Sequence, residues 1–168
     1  MPDLVLREIE PGDNTARFSL GDAKHTPLKL FLKKKAKHHH QQNLSKTYVL
    51  VDQDDFRVYG YVSLTCSDVN LEVKAPVQDF PYNYPCVKIV RLAIDKAMKG
   101  NDLGTTLVNW SISIAKEKIM QNVGCRFIVV DSKKSAVGFY EKCGFTLLDT
   151  NANRSAQHPL LYVDLQKI

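Results

Sequence analysis

The stretch that decides the fold is CVKIVRLAIDKAMKGNDLG, residues 86–104. Its first part, Cys86–Asp95, is an apolar run of strand length, which predicts a central strand of a sheet. A turn containing Gly100 follows, and a helix is expected to begin near Leu103. The amides of a helix N-terminus have no intrahelical acceptor and lie at a positive dipole end, so this strand, turn and helix could hold a pyrophosphate.

The pattern does not match the two best-known phosphate loops. A dinucleotide loop needs three glycines as G-x-G-x-x-G, and a P-loop ends in Gly-Lys-Ser/Thr, and neither occurs here. Glycine-bearing turns before helices are also common as ordinary caps. From the residues alone, a capping turn and a phosphate site both remain open.

Downstream of this stretch the elements alternate between helix and strand. The period of Leu103, Leu107, Trp110 and Ile114 predicts a long helix that ends at Gly124. The expected elements after it are a strand Arg126–Asp131, a helix Ser135–Lys142, strands Phe145–Asp149 and Leu160–Leu165, and a mobile loop Asn151–Pro159 between these last two.

Upstream, a strand Leu4–Ile9 is followed by a helix running from Pro27 to about Gln42. Strands Thr47–Val51 and Val58–Cys66 form a predicted hairpin. The region Ser67–Pro85 is expected to be irregular, with a short strand near Leu71–Lys74. The chain is therefore predicted to be one α/β domain, residues 1–168, with a mixed central sheet.

Composition limits the class of protein. The 168 residues carry a formal net charge of +5, and the sequence pI is about 9.0, which favours an anionic partner. No apolar run is long enough to span a bilayer and no signal-peptide core is present, so we expect a cytoplasmic protein with no membrane association. Its four separated cysteines are expected to be reduced and mostly buried.

Two segments resemble the GNAT family of N-acetyltransferases. Lys99 to Gly104 resembles the family's Q/R-x-x-G-x-G/A motif, with Lys99 in place of the usual Gln or Arg. Asp131–Phe145 is similar to the family's A-x-x-F-Y-x-x-x-G-F segment. The likeness extends from about Leu4 to Leu165 and implies the GNAT fold, with splayed central strands that bind acetyl-CoA.

The resemblance also implies the site residues. Amides near Leu92 and Ile94 would contact the pantetheine arm, and one would polarise the thioester carbonyl. The residues implied to bind acetyl-CoA are Leu92, Ala93, Ile94, Lys99, Gly100, Asn101, Asp102, Leu103, Gly104, Thr105, Ser135 and Phe139.

By the same resemblance Tyr140 is the general acid that protonates the thiolate leaving group. Without the family, a buried helix tyrosine is more often a packing residue. Glu72, Asp68 and Asp79 lie where a general base could be, but the sequence selects none of them, and ordered water would also serve.

A basic run, Lys33–His40, lies at the end of the first predicted helix. It is either a solvated helix face or a phosphate-tracking surface for RNA. The three adjacent histidines are not expected to bind a metal, because neighbours on a helix point in different directions. The candidate RNA-binding residues are Lys33, Lys34, Lys35, Lys37, Lys46 and Arg91.

Residues 31–36, 44–49, 84–85 and 91–95 are similar to GNAT toxins of bacterial toxin–antitoxin pairs. That resemblance implies acetylation of the α-amine of aminoacyl-tRNA, a ribbon-helix-helix antitoxin as partner, and a homodimer. Two alternatives remain open: a GNAT enzyme acting on a small-molecule or peptide amine, and a catalytically inactive GNAT fold that serves as a binding module.

Overall fold

The computed structural model describes residues 1–71 and 76–168, without the side chain of Lys24. Seven strands hydrogen-bond in the order β1-β2-β3-β4-β5-β7-β6. The strands are β1 (Leu4–Glu8), β2 (Lys46–Asp52), β3 (Val58–Val69), β4 (Tyr84–Ile94), β5 (Phe127–Asp131), β6 (Thr146–Leu147) and β7 (Leu160–Asp164). The α-helices are α1 (Thr26–Lys34), α2 (Ala36–Gln41), α3 (Leu103–Ile114), α4 (Val137–Lys142) and α5 (Asn151–Ser155).

The sheet is mixed. Strands β4 and β5 pair in parallel, whereas β1–β2, β2–β3, β5–β7 and β6–β7 pair antiparallel. The β4–β5 register runs from Cys86–Phe127 to Ile89–Val130, although β4 itself continues to Ile94. The predicted α/β class with a mixed sheet is confirmed, and the splay of the central strands around acetyl-CoA stays a prediction.

The chain forms two compact units, and the first contains Met1–Thr65 and Val90–Val108. Its core forms where α1 and the start of α2 bury their apolar residues on one face of the strands. The core includes Phe31, Leu32, Ala36, Val49, Val51, Tyr61 and Ala93. Alternation along β2 and β4 selects these strand residues, because every second side chain faces the helices.

The single helix predicted from Pro27 to Gln42 is two helices. Lys35 has φ −127° and ψ −29°, which ends α1 and starts α2. The change of direction lets Lys37 Nζ donate to the carbonyl oxygens of Pro11 and Asp13, both at 2.7 Å. The sequence periodicity missed this break because Phe31, Leu32 and Ala36 keep helical spacing across it.

The second unit contains Cys66–Ile89 and Asn109–Ile168. Aromatic rings dominate its core: Tyr84 packs edge-on against Phe127, and Phe127 against Tyr162. Arg126 closes the unit at β7 with two hydrogen bonds to Asp164, at 2.8 and 3.0 Å.

Several predicted boundaries in this unit were wrong. The predicted loop Asn151–Pro159 contains α5, which Thr150 caps by accepting the Asn153 amide at 3.0 Å. The predicted strand Phe145–Asp149 is reduced to β6, and α3 gives way to a π-helical turn at Ala115–Ile119. A short strand was predicted near Leu71–Lys74, and its residues 72–74 lie outside the described residues.

All four cysteines are free thiols, as predicted, but only Cys86 is buried, and Cys66 is exposed. The prediction that most are buried was wrong, because Cys66, Cys125 and Cys143 lie near the ends of elements rather than at their centres. In the part of the chain that the structure covers, no helix is both long enough and apolar enough to cross a bilayer. The assignment of residues 1–168 to one domain stays a prediction.

Candidate active site

A buried carboxylate, Asp95, fixes the end of β4. It is 1% exposed, and its oxygens accept the backbone N–H groups of Ser19 at 3.0 Å and Ala97 at 2.8 Å. The guanidinium of Arg57 lies 3.7 Å away, and the Asp95 amide donates to the Tyr59 carbonyl at 2.8 Å. Sequence reasoning gave Asp95 no role, although a carboxylate ending an apolar strand was the available signal.

This pairing decides which way the β4 amides point. The Asp95 N–H is directed to β3, and N–H directions alternate along a strand, so the amides of Ile94 and Leu92 are directed away from β3. Both residues lie beyond Ile89, where the β4–β5 register ends. The strand therefore offers two outward amide donors at the positions predicted for the pantetheine arm.

Side-chain packing holds this part of β4 in place. Ala93 faces the core of the first unit, whereas the Ile94 side chain fills the space beside Gly60. A Cβ at Gly60 would lie 2.7 Å from Ile94 Cδ1, so any larger residue there would require the end of the Ile94 side chain to move.

The loop between β4 and α3 contains two residues in the left-handed region. Gly100 has φ +85° and Asp102 has φ +55°, and both are exposed. A Cβ at Gly100 would meet nothing within 4 Å, so glycine serves its positive φ rather than a close approach. The Asn101 side chain donates to the Met98 carbonyl at 3.0 Å, which fixes the turn, and Lys99 Nζ lies 3.4 Å from the Leu20 carbonyl.

The first turn of α3 follows directly. The first hydrogen bond at its start joins the Thr106 amide to the Asp102 carbonyl at 3.1 Å. Leu103, Gly104 and Thr105 precede this bond and are half-buried, so helix geometry leaves their amides without an intrahelical acceptor. These amides, with exposed Lys99, form an arrangement suited to a pyrophosphate. The assignment of these residues to the cofactor stays a prediction.

In the second unit, Tyr140 is on α4 and is 7% exposed. Its ring packs edge-on between Phe139, at 5.0 Å, and Phe145, at 5.6 Å. Burial, with a smaller contribution from Cys143, raises the pKa of the Tyr140 phenol well above its usual range. Ser135 is exposed on the short 3₁₀ turn before α4.

The candidate general bases remain unselected. Asp68 is exposed and accepts the side-chain amide of Asn83 at 3.0 Å. Asp79 is exposed at φ +62°, and Glu72 lies outside the described residues.

The basic residues differ in what holds them. Lys34 and Lys35 are exposed, and Lys33 is half-buried. Lys37 instead anchors the turn after β1 through the two carbonyl contacts described above. Lys46 is half-buried, with Nζ 3.4 Å from the His40 carbonyl.

Arg91 lies with its guanidinium carbon 3.8 Å from the centre of the Phe31 ring. This is a cation–π contact that fixes the side chain over α1. Arg91 is two residues from Ala93 along β4, so both side chains lie on the face of the strand that α1 covers. Arg91 is therefore separate from the loop at Gly100.

The three histidines have separate contacts. His38 is exposed, the His39 ring lies 5.3 Å from that of Phe31, and His40 Nδ1 accepts the Thr47 amide at 3.0 Å. Burial and the nearby charge of Lys46 lower the pKa of His40, which suits this acceptor role. Within the described ranges, no three metal-binding side chains cluster.

Comparison with known proteins identifies what the chain resembles. A family model described as the acetyltransferase (GNAT) family matches residues 15–145. A Tyr-to-Phe mutant of KacT is 26% identical, with a TM-score of 0.84 over 98% of this chain and 96% of that one. AtaTR bound with AcCoA is 25% identical, with a TM-score of 0.80 over 98% and 95%.

AtaT complexed with acetyl-methionyl-tRNAfMet is 24% identical, with a TM-score of 0.84 over 98% of this chain and 96% of that chain. At this identity the likeness shows a shared fold. The fold extends over nearly the whole length of both chains.

Proposed function

The chain belongs to the GNAT family of acetyltransferases, and from that membership we propose that it acetylates the α-amine of aminoacyl-tRNA as a translation-blocking toxin. The donor of the acetyl group is acetyl-CoA, the co-substrate of the family. The observation that carries the proposal is the junction of β4 and α3. There the outward amides of Leu92 and Ile94 are followed in sequence by the Gly100 loop and by the first turn of α3.

These residues suit the parts of acetyl-CoA in chain order. The outward amides of β4 suit the amide groups of a pantetheine arm, which can pair with a strand edge as another strand would. The first-turn amides of α3 and the charge of Lys99 suit a pyrophosphate. Asp95 supports both by fixing the point where the strand becomes the loop.

Acetyl-CoA supplies an activated thioester carbonyl. An amide N–H of β4 stabilises negative charge on the carbonyl oxygen during attack by the acceptor amine. As the C–S bond breaks, the Tyr140 phenol gives its proton to the sulfur of the leaving group, and the proton that the attacking amine loses on forming the amide returns to the phenol oxygen through water. No side-chain nucleophile is needed, because the amine attacks directly.

The choice of acceptor rests on charge and on the structural relatives. One AtaT structure was solved with acetyl-methionyl-tRNA, and this chain carries exposed Lys34 and Lys35 beside half-buried Lys33. An aminoacyl α-amine also has a lower pKa than a lysine side chain, so more of it is neutral and ready to attack. A cytoplasmic location follows from that substrate.

Partners are proposed on the same ground. AtaT has been solved bound to the C-terminus of the antitoxin AtaR, and a KacTA–DNA complex is also known. We expect this chain to be neutralised by an antitoxin of the ribbon-helix-helix class and to act as a homodimer.

Purified protein with labelled acetyl-CoA is expected to transfer label to total aminoacyl-tRNA. Polyamines, free amino acids and peptides should accept label at least tenfold more slowly, because they lack the phosphates that the basic surface would bind. Label confined to a small amine or a peptide would leave the enzyme class intact and remove the toxin function. Absence of transfer to every acceptor would support the inactive binding module.

The double variant Lys34→Gln/Lys35→Gln is expected to weaken aminoacyl-tRNA binding without changing the affinity for acetyl-CoA. Each lost phosphate contact should reduce the slope of log affinity against log salt by about 1. Binding titrations at several salt concentrations measure this slope.

Lys37→Gln is the control, since it removes one positive charge of the same helical region from a side chain held by the Pro11 and Asp13 carbonyls. It should lower the melting temperature and leave the salt slope nearly unchanged. Equal slopes for wild type and the double variant would show that Lys34 and Lys35 do not contact the tRNA.

A further inference from the structure

A polar cavity lies in the first unit. Its volume is about 420 Å³, within the size range of sites for small ligands. It is lined by the segment 19–23, by His25 and Thr26 at the start of α1, and by Lys29 and Lys96. None of these lining residues takes part in the proposed reaction.

The charge around this cavity is positive. Lys29 and Lys96 line it, and Lys99 lies at its edge, with Nζ 3.4 Å from the Leu20 carbonyl. Among the described residues of the lining, the carboxylate is that of Asp22, and it is already engaged, because its Oδ1 lies 2.6 Å from His25 Nδ1 and accepts the His25 amide at 3.0 Å. The hydrogen bond from His25 and the charge of Lys99 both lower the pKa of Asp22. An anion entering the cavity therefore meets three lysines against one paired carboxylate.

The cavity wall is fixed before any ligand arrives. Gly21 has φ +83°, and the side chain of Lys96 lies against it, 3.6 Å from the place of an added Cβ. The Lys96 amide donates to the Ser19 carbonyl at 2.8 Å, while the Ser19 amide donates to Asp95 at 3.0 Å. The same carboxylate that ends β4 therefore holds the segment that lines the cavity.

The position along the chain indicates the kind of anion. Lys96 is the first residue of the 3₁₀ turn Lys96–Met98, and Lys99 follows the turn. The turn leads into the Gly100 loop, where the pyrophosphate is proposed to bind. Neither α1 nor the preceding 3₁₀ helix has an acidic residue in its first turn, and the Asp22 carboxylate that caps the 3₁₀ helix is paired with His25. Lys99 borders both that loop and the cavity through its contact with the Leu20 carbonyl, so a phosphate of a substrate bound at the loop lies within reach of the cavity.

We propose that the cavity bounded by Lys29, Lys96 and the segment 19–23 binds a nucleotide phosphate. The source is either the 3′-phosphate of the coenzyme or a phosphodiester near the 3′ end of the acceptor RNA. The inference rests on the proposed function for the RNA source, whereas the coenzyme source requires only acetyl-CoA binding.

The test is binding calorimetry on the full chain with CoA, dephospho-CoA and deacylated tRNA as probes. The variant is Lys29→Gln/Lys96→Gln. Its control is Lys118→Gln, which removes a charge from an exposed lysine in the second unit. Lys29→Arg/Lys96→Arg keeps the charge, and the melting temperature of each variant shows whether it is folded.

If the ligand is the coenzyme phosphate, wild type binds CoA at least tenfold more tightly than dephospho-CoA, and the Gln variant loses that preference. If the ligand is an RNA phosphate, the Gln variant binds tRNA at least tenfold more weakly and CoA normally. In both cases the Arg variant retains most of the affinity and the control behaves as wild type.

The proposal is overturned if the Gln variant binds all three probes as the control does. If wild type binds no tRNA, aminoacyl-tRNA is not the acceptor and that part of the proposed function is wrong. The comparison of CoA with dephospho-CoA then tests by itself whether the cavity binds a phosphate. The two failures are therefore distinguishable.

Discussion

Replacing Tyr140 with Phe is expected to lower kcat for acetyl transfer by about 10²–10⁴, the range typical for loss of a general acid. The substitution removes only the hydroxyl and keeps the ring that packs between Phe139 and Phe145. The thiolate must then leave without a proton from the protein. KM for acetyl-CoA should change little, because the hydroxyl acts on the leaving group. Steady-state rates with saturating acceptor measure both constants.

Tyr162→Phe provides the matched control, since it makes the same change at a half-buried tyrosine on β7 of the same unit. Its kcat should stay within about twofold of wild type. If Tyr140→Phe retains the wild-type kcat, Tyr140 is a packing residue and the thiolate is protonated by another route. Melting temperatures should be similar for both variants.

Asp95→Ala is expected to cost about 3 kcal/mol of unfolding free energy, since it removes a buried acceptor and leaves the facing groups unpaired. The Ser19 and Ala97 amides lose their acceptor, and the Arg57 guanidinium loses its counter-charge. For a chain of this size the melting temperature should fall by roughly 6–12 °C. Acetyl-CoA affinity should fall as well, because the strand end and loop lose their anchor.

Asp54→Ala is the control, because Asp54 is an exposed carboxylate in the β2–β3 turn. It should shift the melting temperature by no more than about 2 °C. An Asp95→Ala variant that melts with wild type would contradict the role assigned to this residue. Calorimetric scans together with CoA titrations separate the loss of stability from the loss of binding.

Much of the fold followed from periodicity. Strand β4, the start of α3 at Leu103 and helix α4 were predicted within a few residues from apolar spacing and turn residues. The errors share a cause. The break at Lys35, the capped helix α5 and the early end of β6 depend on hydrogen bonds to residues that periodicity does not register, such as the Thr150 cap.

The candidate site divides in the same way. Gly100 and Tyr140 could be selected from their motifs, and the structure adds the positive φ of the one and the burial of the other. The roles of Lys37 and Asp95 could not be predicted. Lys37 belongs to a run of basic residues, which suggests an exposed surface, yet its side chain is held by carbonyls 24 and 26 residues away. The Asp95 contact to Ser19 crosses 76 residues.

The sequence by itself determined the class of fold, the order of its elements and the family motifs, because these depend on spacing along the chain. Only the tertiary structure decided which lysines are available to a ligand and which amides of β4 point outward. It also brought Lys29 and Lys96 to the lining of one cavity. The reason is physical: a charge or an amide is free for binding only when no group of the folded chain holds it, and that depends on contacts between residues far apart in sequence.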